Sequence, residues 1–329
     1  MLRLHSYQYH RPKTLTDAVE LLAANPEGAM LIAGGTDVMP NMKHRLFTPN
    51  HLIGISGIPE LRGISSTHDE LIIGAGETLT DVSLNPLVRK YARALAQAAG
   101  SVAGPQLRNM GTIGGNLCLD TRCTYYNQTY FWRDALGFCL KKDGTVCHVT
   151  KVGKKCVAAH SADTPPVFMT LNAVVDLVSA SGTRSVPVAD FYIADGIWNN
   201  VRRRDEIVAR VRMPLAADSV VTSFTKVRQR NSIDFPLLNI ALAADLEGDA
   251  IRDLRIVVSA LGSRPRVVTG LDKVAFGKTL TAETIDAVAE RAFQQCHPLE
   301  NIIVDPDWRR EMVRVYVKRA LRGLIPAYA

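Results

Sequence analysis

The sequence predicts an α+β protein of three units: two lobes of one binding domain, residues 1–55 and 56–215, and a C-terminal α+β domain, residues 216–329, with a small antiparallel sheet and helices. Three observations lead there. Apolar strand patterns and an amphipathic helix alternate in the first 55 residues. Strand patterns return on either side of a long stretch without period, about 118–160. After residue 216, strand patterns come first and helices last, the order of an α+β unit rather than of β-α-β repeats.

In the first unit, residues 12–23 read as a helix, with Thr16 as N-cap, acids in the first turn and an apolar face of Ala18, Val19, Leu21 and Leu22. Asn25-Pro26-Glu27-Gly28 stops it. Residues 29–33 form a buried strand that runs into Gly34-Gly35-Thr36-Asp37, and 51–55 form another. In the second unit, 62–65 and 71–75 make a hairpin around Ser66-Thr67-His68-Asp69. Residues 87–99 compose one helix ending at Gly100. Regular patterning resumes at 167–171 and in the alternating stretch 173–178, and 207–213 is a closing strand. The third unit has strands at 223–227, 239–246 and 254–261, then helices at 282–296 and 307–321.

Composition is that of an ordinary globular protein, with 47% apolar and 22% charged residues. The start Met1-Leu2-Arg3-Leu4-His5 has no signal-peptide pattern, and no run of about 18 apolar residues exists to span a bilayer. The expected location is the cytoplasm, where thiols stay reduced and disulfides are uncommon. Net charge is +7, and seven Lys or Arg against three Asp fall between Cys118 and His160. No aromatic-interleaved basic repeat or Cys/His finger spacing supports nucleic-acid binding. The local excess reads as a solvated basic surface, or as charge that offsets an anionic metal–thiolate centre and attracts an acidic partner.

Five of six cysteines, Cys118, Cys123, Cys139, Cys147 and Cys156, lie within 39 residues, while Cys296 stands apart beside His297 as filler in a helix. Thiols concentrated in a long irregular loop point to a metal. Four thiolates suit tetrahedral zinc and an iron–sulfur cluster alike, and neither paired Cys-x-x-Cys units nor a ferredoxin run decides between them.

The window opens just after Thr112-Ile113-Gly114-Gly115-Asn116. Paired glycines there and at Gly34-Gly35 let backbone N–H groups converge and the chain approach a phosphate without a Cβ clash. Taken singly each is a tight turn; together they suggest a pyrophosphate held between two lobes. Neither is a P-loop, and Gly74-Ala75-Gly76-Glu77-Thr78-Leu79 lacks the third glycine of a dinucleotide fingerprint. No catalytic nucleophile is assigned: His160 and Ser161 are adjacent, but adjacency in sequence does not build a triad.

Residues 31–37 (LIAGGTD), 73–78 (IGAGET) and 109–117 (NMGTIGGNL) resemble, in order, the landmarks of the FAD-binding medium subunit of molybdenum hydroxylases. Ser161-Ala162-Asp163, residues 206–214 and Lys226-Val227-Arg228-Gln229-Arg230 continue the resemblance over essentially the whole chain. It implies a two-lobed FAD-binding domain of the vanillyl-alcohol-oxidase and molybdenum-hydroxylase type. The implied FAD contacts are Ala33, Gly34, Gly35, Thr36, Asp37, Gly76, Asn109, Gly111, Thr112, Gly114, Gly115 and Asn116, with Asp163 near the adenosine and Lys226 near the flavin ring. From the residues alone Asp163 would be a helix N-cap and Lys226 a solvated strand-end lysine.

The family pattern leaves only a few residues between Gly-Gly-Asn-Leu and the Ser-Asp element; here 44 intervene between Asn116 and Ser161. Such an insertion resembles that of a family branch in which it holds a [4Fe-4S] cluster. This implies Cys123, Cys139, Cys147 and Cys156 as ligands, with 15, 7 and 8 residues between them, and leaves Cys118 as packing. The resemblance further implies a large subunit with the molybdenum cofactor, a small subunit with [2Fe-2S] clusters, ferredoxin as electron donor and a dimer of heterotrimers. Flow toward molybdenum would drive reductive removal of an aromatic hydroxyl. The alternative keeps the FAD subunit and makes the cysteines a structural zinc site, with electrons delivered to NAD or a quinone.

Overall fold

A computed structural model describes residues 2–324. Its strands fall into three sheets in chain order. The first is β1 (Gln8–His10), β2 (Ala29–Ile32) and β3 (His51–Gly54), parallel in the order β1-β3-β2. The helix Leu15–Ala24 packs Ala18, Val19 and Leu22 against Ile53, Ile58 and Leu61. Its N-cap is Thr14, not Thr16: the Thr14 hydroxyl accepts from the Asp17 N–H at 3.1 Å, a bond worth about 1 kcal/mol. β1 escapes the sequence pattern because it is only three residues long and mostly exposed.

The second sheet has β4 (Ile64–Ser66), β5 (Glu70–Gly74), β6 (Val174–Ser179), β7 (Gly182–Pro187) and β8 (Ile207–Pro214), antiparallel throughout in the order β4-β5-β8-β6-β7. The expected helix over 87–99 is two, Pro86–Tyr91 and Arg93–Ser101, with Ala92 out of helical conformation between them. A tertiary contact stabilises the break: the Ala94 N–H donates to the Thr222 hydroxyl at 3.2 Å. Residues 165–170 form a helix, Pro165–Thr170, buried along its whole length.

The third sheet is β9 (Val220–Val227), β10 (Leu238–Glu247), β11 (Ala250–Ser259) and β12 (Arg266–Val267), antiparallel in the order β12-β11-β10-β9. Helices Ala282–Gln295 and Pro306–Arg322 cover it, burying Val288, Ala292, Val313 and Val317, and Cys296 belongs to this core. No helix among the described residues is long and apolar enough to cross a membrane.

The insertion is mostly irregular, with one helix, Tyr130–Leu136. Thr129 caps it, and Gly137 ends it at φ +95°, a conformation a side chain would strain.

Candidate functional site

The two glycine loops, about 75 residues apart in sequence, are in contact. The first joins β2 to the helix Val38–Lys43, and Gly35 sits at φ +72°. A Cβ on Gly34 would run into the Met110 carbonyl and the Gly111 nitrogen, both backbone. The N–H groups of Gly34, Gly35, Thr36 and Asp37 donate to no protein acceptor among the described residues. Four successive open donors around a left-handed residue make an anion-binding concavity, which fits a pyrophosphate.

The second loop uses its donors differently. The Gly114 N–H donates to the Ala75 carbonyl at 2.8 Å, and a Cβ there would stand 2.8 Å from the Ala75 Cβ. The Gly115 N–H is taken by the Thr112 hydroxyl at 3.1 Å, so Thr112 caps the helix Ile113–Leu117. Gly114 allows close packing against the strand end at Ala75. Gly76 also packs closely within the second lobe, its N–H donating to the Leu61 carbonyl at 2.7 Å. Asn116 is buried, and its Oδ1 accepts from the Thr164 N–H at 3.1 Å and hydroxyl at 2.7 Å. Asn109 is exposed and accepts from the Thr80 hydroxyl at 2.6 Å.

Asp163 and Lys226, expected at opposite ends of the cofactor, are bonded to each other. Lys226 Nζ lies 2.7 Å from Asp163 Oδ2, both side chains almost wholly buried, so Lys226 is not a solvated strand-end lysine. The helix N-cap is the next residue, Thr164. The other Asp163 oxygen accepts from Asn239 Nδ2 at 2.9 Å, and Lys226 also donates to the Ser101 carbonyl at 3.2 Å. Burial pushes the Asp163 carboxyl up against the pull of Lys226, and burial pulls the Lys226 ammonium down. Nearby, the Ser161 hydroxyl is buried without a protein partner, an orphaned group of the kind a bound polar ligand satisfies. His160 is structural: its ring packs edge-on against Tyr192 at 4.7 Å, and burial lowers its pKa to about 3.

In the insertion, Cys123, Cys139, Cys147 and Cys156 line one small cavity with Tyr126 and Lys141. Cys118 lies apart, packed against the second core, and all six cysteines are free thiols. Burial pushes the Cys123 thiol up to about 12, with the other three sulfurs adding to the rise, and pushes Cys156 up to about 11. Burial also raises Cys147, but hydrogen bonds from the Thr150 hydroxyl and from the Thr150, Val149 and Val157 N–H groups outweigh it and lower the pKa. Among the described residues no group of three or more His, Cys, Asp or Glu is positioned to hold a single metal ion.

Residues outside the sequence motifs complete the site. Lys141 is buried beside the thiols, its ammonium 2.6 Å from Asp120 Oδ1 and 2.5 Å from the Gly196 carbonyl. Gly196 is required because a Cβ there would stand 2.7 Å from the Cys156 sulfur. Arg122, next to Cys123, reaches the glycine loop: its guanidinium pairs with Asp37 and lies over the Phe235 ring at 4.6 Å. The third unit joins through Asn301, whose carbonyl accepts from the Thr124 N–H at 2.9 Å and whose amide donates to the Val157 carbonyl at 2.7 Å. A basic residue beside Cys123 was visible in sequence; the partners at 37, 196 and 301 were not.

Residues 5–216 match the family model described as the FAD binding domain in molybdopterin dehydrogenase, and 223–324 match the CO dehydrogenase flavoprotein C-terminal domain. The chain belongs to this FAD-binding family. It is 28% identical over 320 residues to the carbon monoxide dehydrogenase medium chain of Hydrogenophaga pseudoflava, covering 96% of each. It is 26% identical over 321 residues to the xanthine dehydrogenase FAD-binding subunit of Escherichia coli, covering 97% of this chain and 96% of that one. The solved carbon monoxide dehydrogenase of H. pseudoflava superimposes with a TM-score of 0.81 at 27% identity over 97% of both chains. The protein is thus a FAD-binding oxidoreductase subunit of the molybdenum hydroxylase family, and the open donors of the first glycine loop fit that cofactor. Bound flavin supplies the exchange of two electrons together or one at a time.

Proposed function

We propose that this chain is the FAD- and [4Fe-4S]-carrying beta subunit of 4-hydroxybenzoyl-CoA reductase. Electrons enter from ferredoxin and leave toward a small [2Fe-2S] subunit and a large molybdenum subunit, within a dimer of heterotrimers in the cytoplasm. The overall reaction takes up two electrons and two protons, replaces the para-hydroxyl by hydrogen and releases water, giving benzoyl-CoA in anaerobic aromatic degradation. The chain's part is electron transfer, and it supplies no catalytic side chain of its own.

The observation that carries the reading is the convergence of Cys123, Cys139, Cys147 and Cys156 on one cavity, while Cys118 and Cys296 pack elsewhere. Loops 34–37 and 109–116, with Gly76, Asp163 and Lys226, are the FAD contacts in this reading. Lys141 stands where it offsets thiolate charge. Metal binding must displace protons from buried thiols, so loading strengthens as pH rises.

Iron, acid-labile sulfide and zinc are to be measured in the assembled enzyme, with electron paramagnetic resonance of the reduced sample. The expected result is a [4Fe-4S] signal beside two [2Fe-2S] signals. It should vanish in Cys→Ser variants at 123, 139, 147 or 156 and persist in C118S and C296S. Stoichiometric zinc with only the [2Fe-2S] signals would replace the cluster by the structural-metal reading.

A further inference from the structure

We propose that a basic, aromatic-walled pocket beside the cysteine cavity is the docking face for an acidic one-electron carrier protein. The inference rests on the cluster reading above and adds where the donor sits. The pocket lies between the end of the first-lobe helix Val38–Lys43 and the start of the insertion helix Tyr130–Leu136, and encloses about 270 Å³. Arg3, Lys43, His44 and Arg45 line one side, Tyr130 and Phe131 the other. No carboxylate lines it.

Its surface has the composition of a recognition site. Phe131 is 79% exposed and Trp132 40%, adjacent on the insertion helix. Aromatic and arginine side chains are favoured in interface centres, whereas a solvated helix face would carry polar residues. Among the described residues Arg3, Lys43 and Arg45 form no ion pair with a carboxylate. Complementarity therefore selects a partner with an acidic patch, and screened attraction of that kind sets the encounter rate.

The pocket is linked to the cysteine cavity through residues next to its lining. Leu46, next to Arg45, packs against Cys139 and Tyr126. The Tyr130 ring lies 5.6 Å from that of Phe138, which precedes Cys139. Buried Arg133 fixes the wall, donating to the Arg45 carbonyl at 3.4 Å and pairing with Asp143 at 3.2 Å. A carrier seated here is connected to the thiols through the packed side chains of Leu46 and Phe138.

The test uses the assembled enzyme and a reduced ferredoxin of net negative charge. K43E/R45E should weaken binding at least tenfold at low salt and flatten its salt dependence; F131A should weaken it severalfold and leave the salt dependence intact. A control reversal on the third unit, K273E/K278E, should change neither. Iron content and reduction by a small dye should stay as in the parent enzyme. Cluster-loaded K43E/R45E that binds ferredoxin normally overturns the docking face alone. An equal loss in the control overturns it in favour of net charge. Hydrogen-exchange protection of residues 129–136 before ferredoxin is added would give the face to a sister subunit. Missing [4Fe-4S] signals with ferredoxin binding still sensitive to K43E/R45E would sink the cluster reading and leave the docking face standing.

Discussion

Replacing Lys226 with Met tests the buried Asp163–Lys226 pair. The ammonium is 2.7 Å from Asp163, and the two side chains are 4% and 3% exposed, so solvent cannot take over when the cation is removed. Asp163 would keep one close partner, Asn239 Nδ2 at 2.9 Å. Breaking a buried pair from one side costs about 3–5 kcal/mol, because a charge is left without its counterion. Burial already raises the Asp163 carboxyl, and loss of the cation raises it further. A folded-state acid pKa above the unfolded one makes K226M lose stability as pH rises past the ordinary carboxylate range. D163N/K226M removes the stranded charge and should recover most of the loss. Urea unfolding of the flavin-free chain, followed by circular dichroism, reads all three proteins. A K226M loss under about 1 kcal/mol, or a double variant no more stable than K226M, would refute the reasoning.

Further expectations concern the loops and the buried histidine. G34A should lower FAD affinity roughly tenfold or more, since overpacking against backbone costs about 1–3 kcal/mol and pushes the two loops apart. G35A meets only the Ile32 and Met39 side chains, at 3.2 and 3.3 Å, and pays for its positive φ, so its effect by flavin fluorescence titration should be smaller. Equal losses would show that loop contact is not the constraint. His160, held to about 3 by burial against an ordinary 6.5, takes up its proton more readily in the unfolded chain. That stability is complete above about pH 6.5 and is lost as pH falls toward 3, on the order of a few kcal/mol. H160Q should flatten the acid limb of the unfolding midpoint against pH, and an unchanged limb would assign it to other groups.

Much of the fold was legible because its elements bury one face each. The pattern of Ala18, Val19 and Leu22 located the first helix, and β8, β10, β11 and both C-terminal helices came out within a few residues of their expected bounds. The errors have physical causes. Thr14 and Thr16 are both capable caps, and only the Asp17 N–H direction distinguishes them. Residues 87–99 have helical composition throughout, but the Thr222 hydroxyl rewards a break at Ala92. The glycine loops and the four cavity cysteines were readable as motifs. The Asp163–Lys226 bond joins residues 63 apart, and no local pattern carries it.

The anchoring of the insertion has a consequence for how the chain matures. Its ties run to Asp37 in the first lobe, to Gly196 across 75 residues and to Asn301 across 177. Contacts of such sequence separation form late, because loop closure must be met before they give anything back. The segment 121–124, which leads into the cysteine cavity at Cys123, is therefore fixed only once these distant partners are in place. A chain whose distant partners are misplaced leaves the residues around Cys123 unanchored, so the shape of the cavity records whether the rest of the chain has folded correctly.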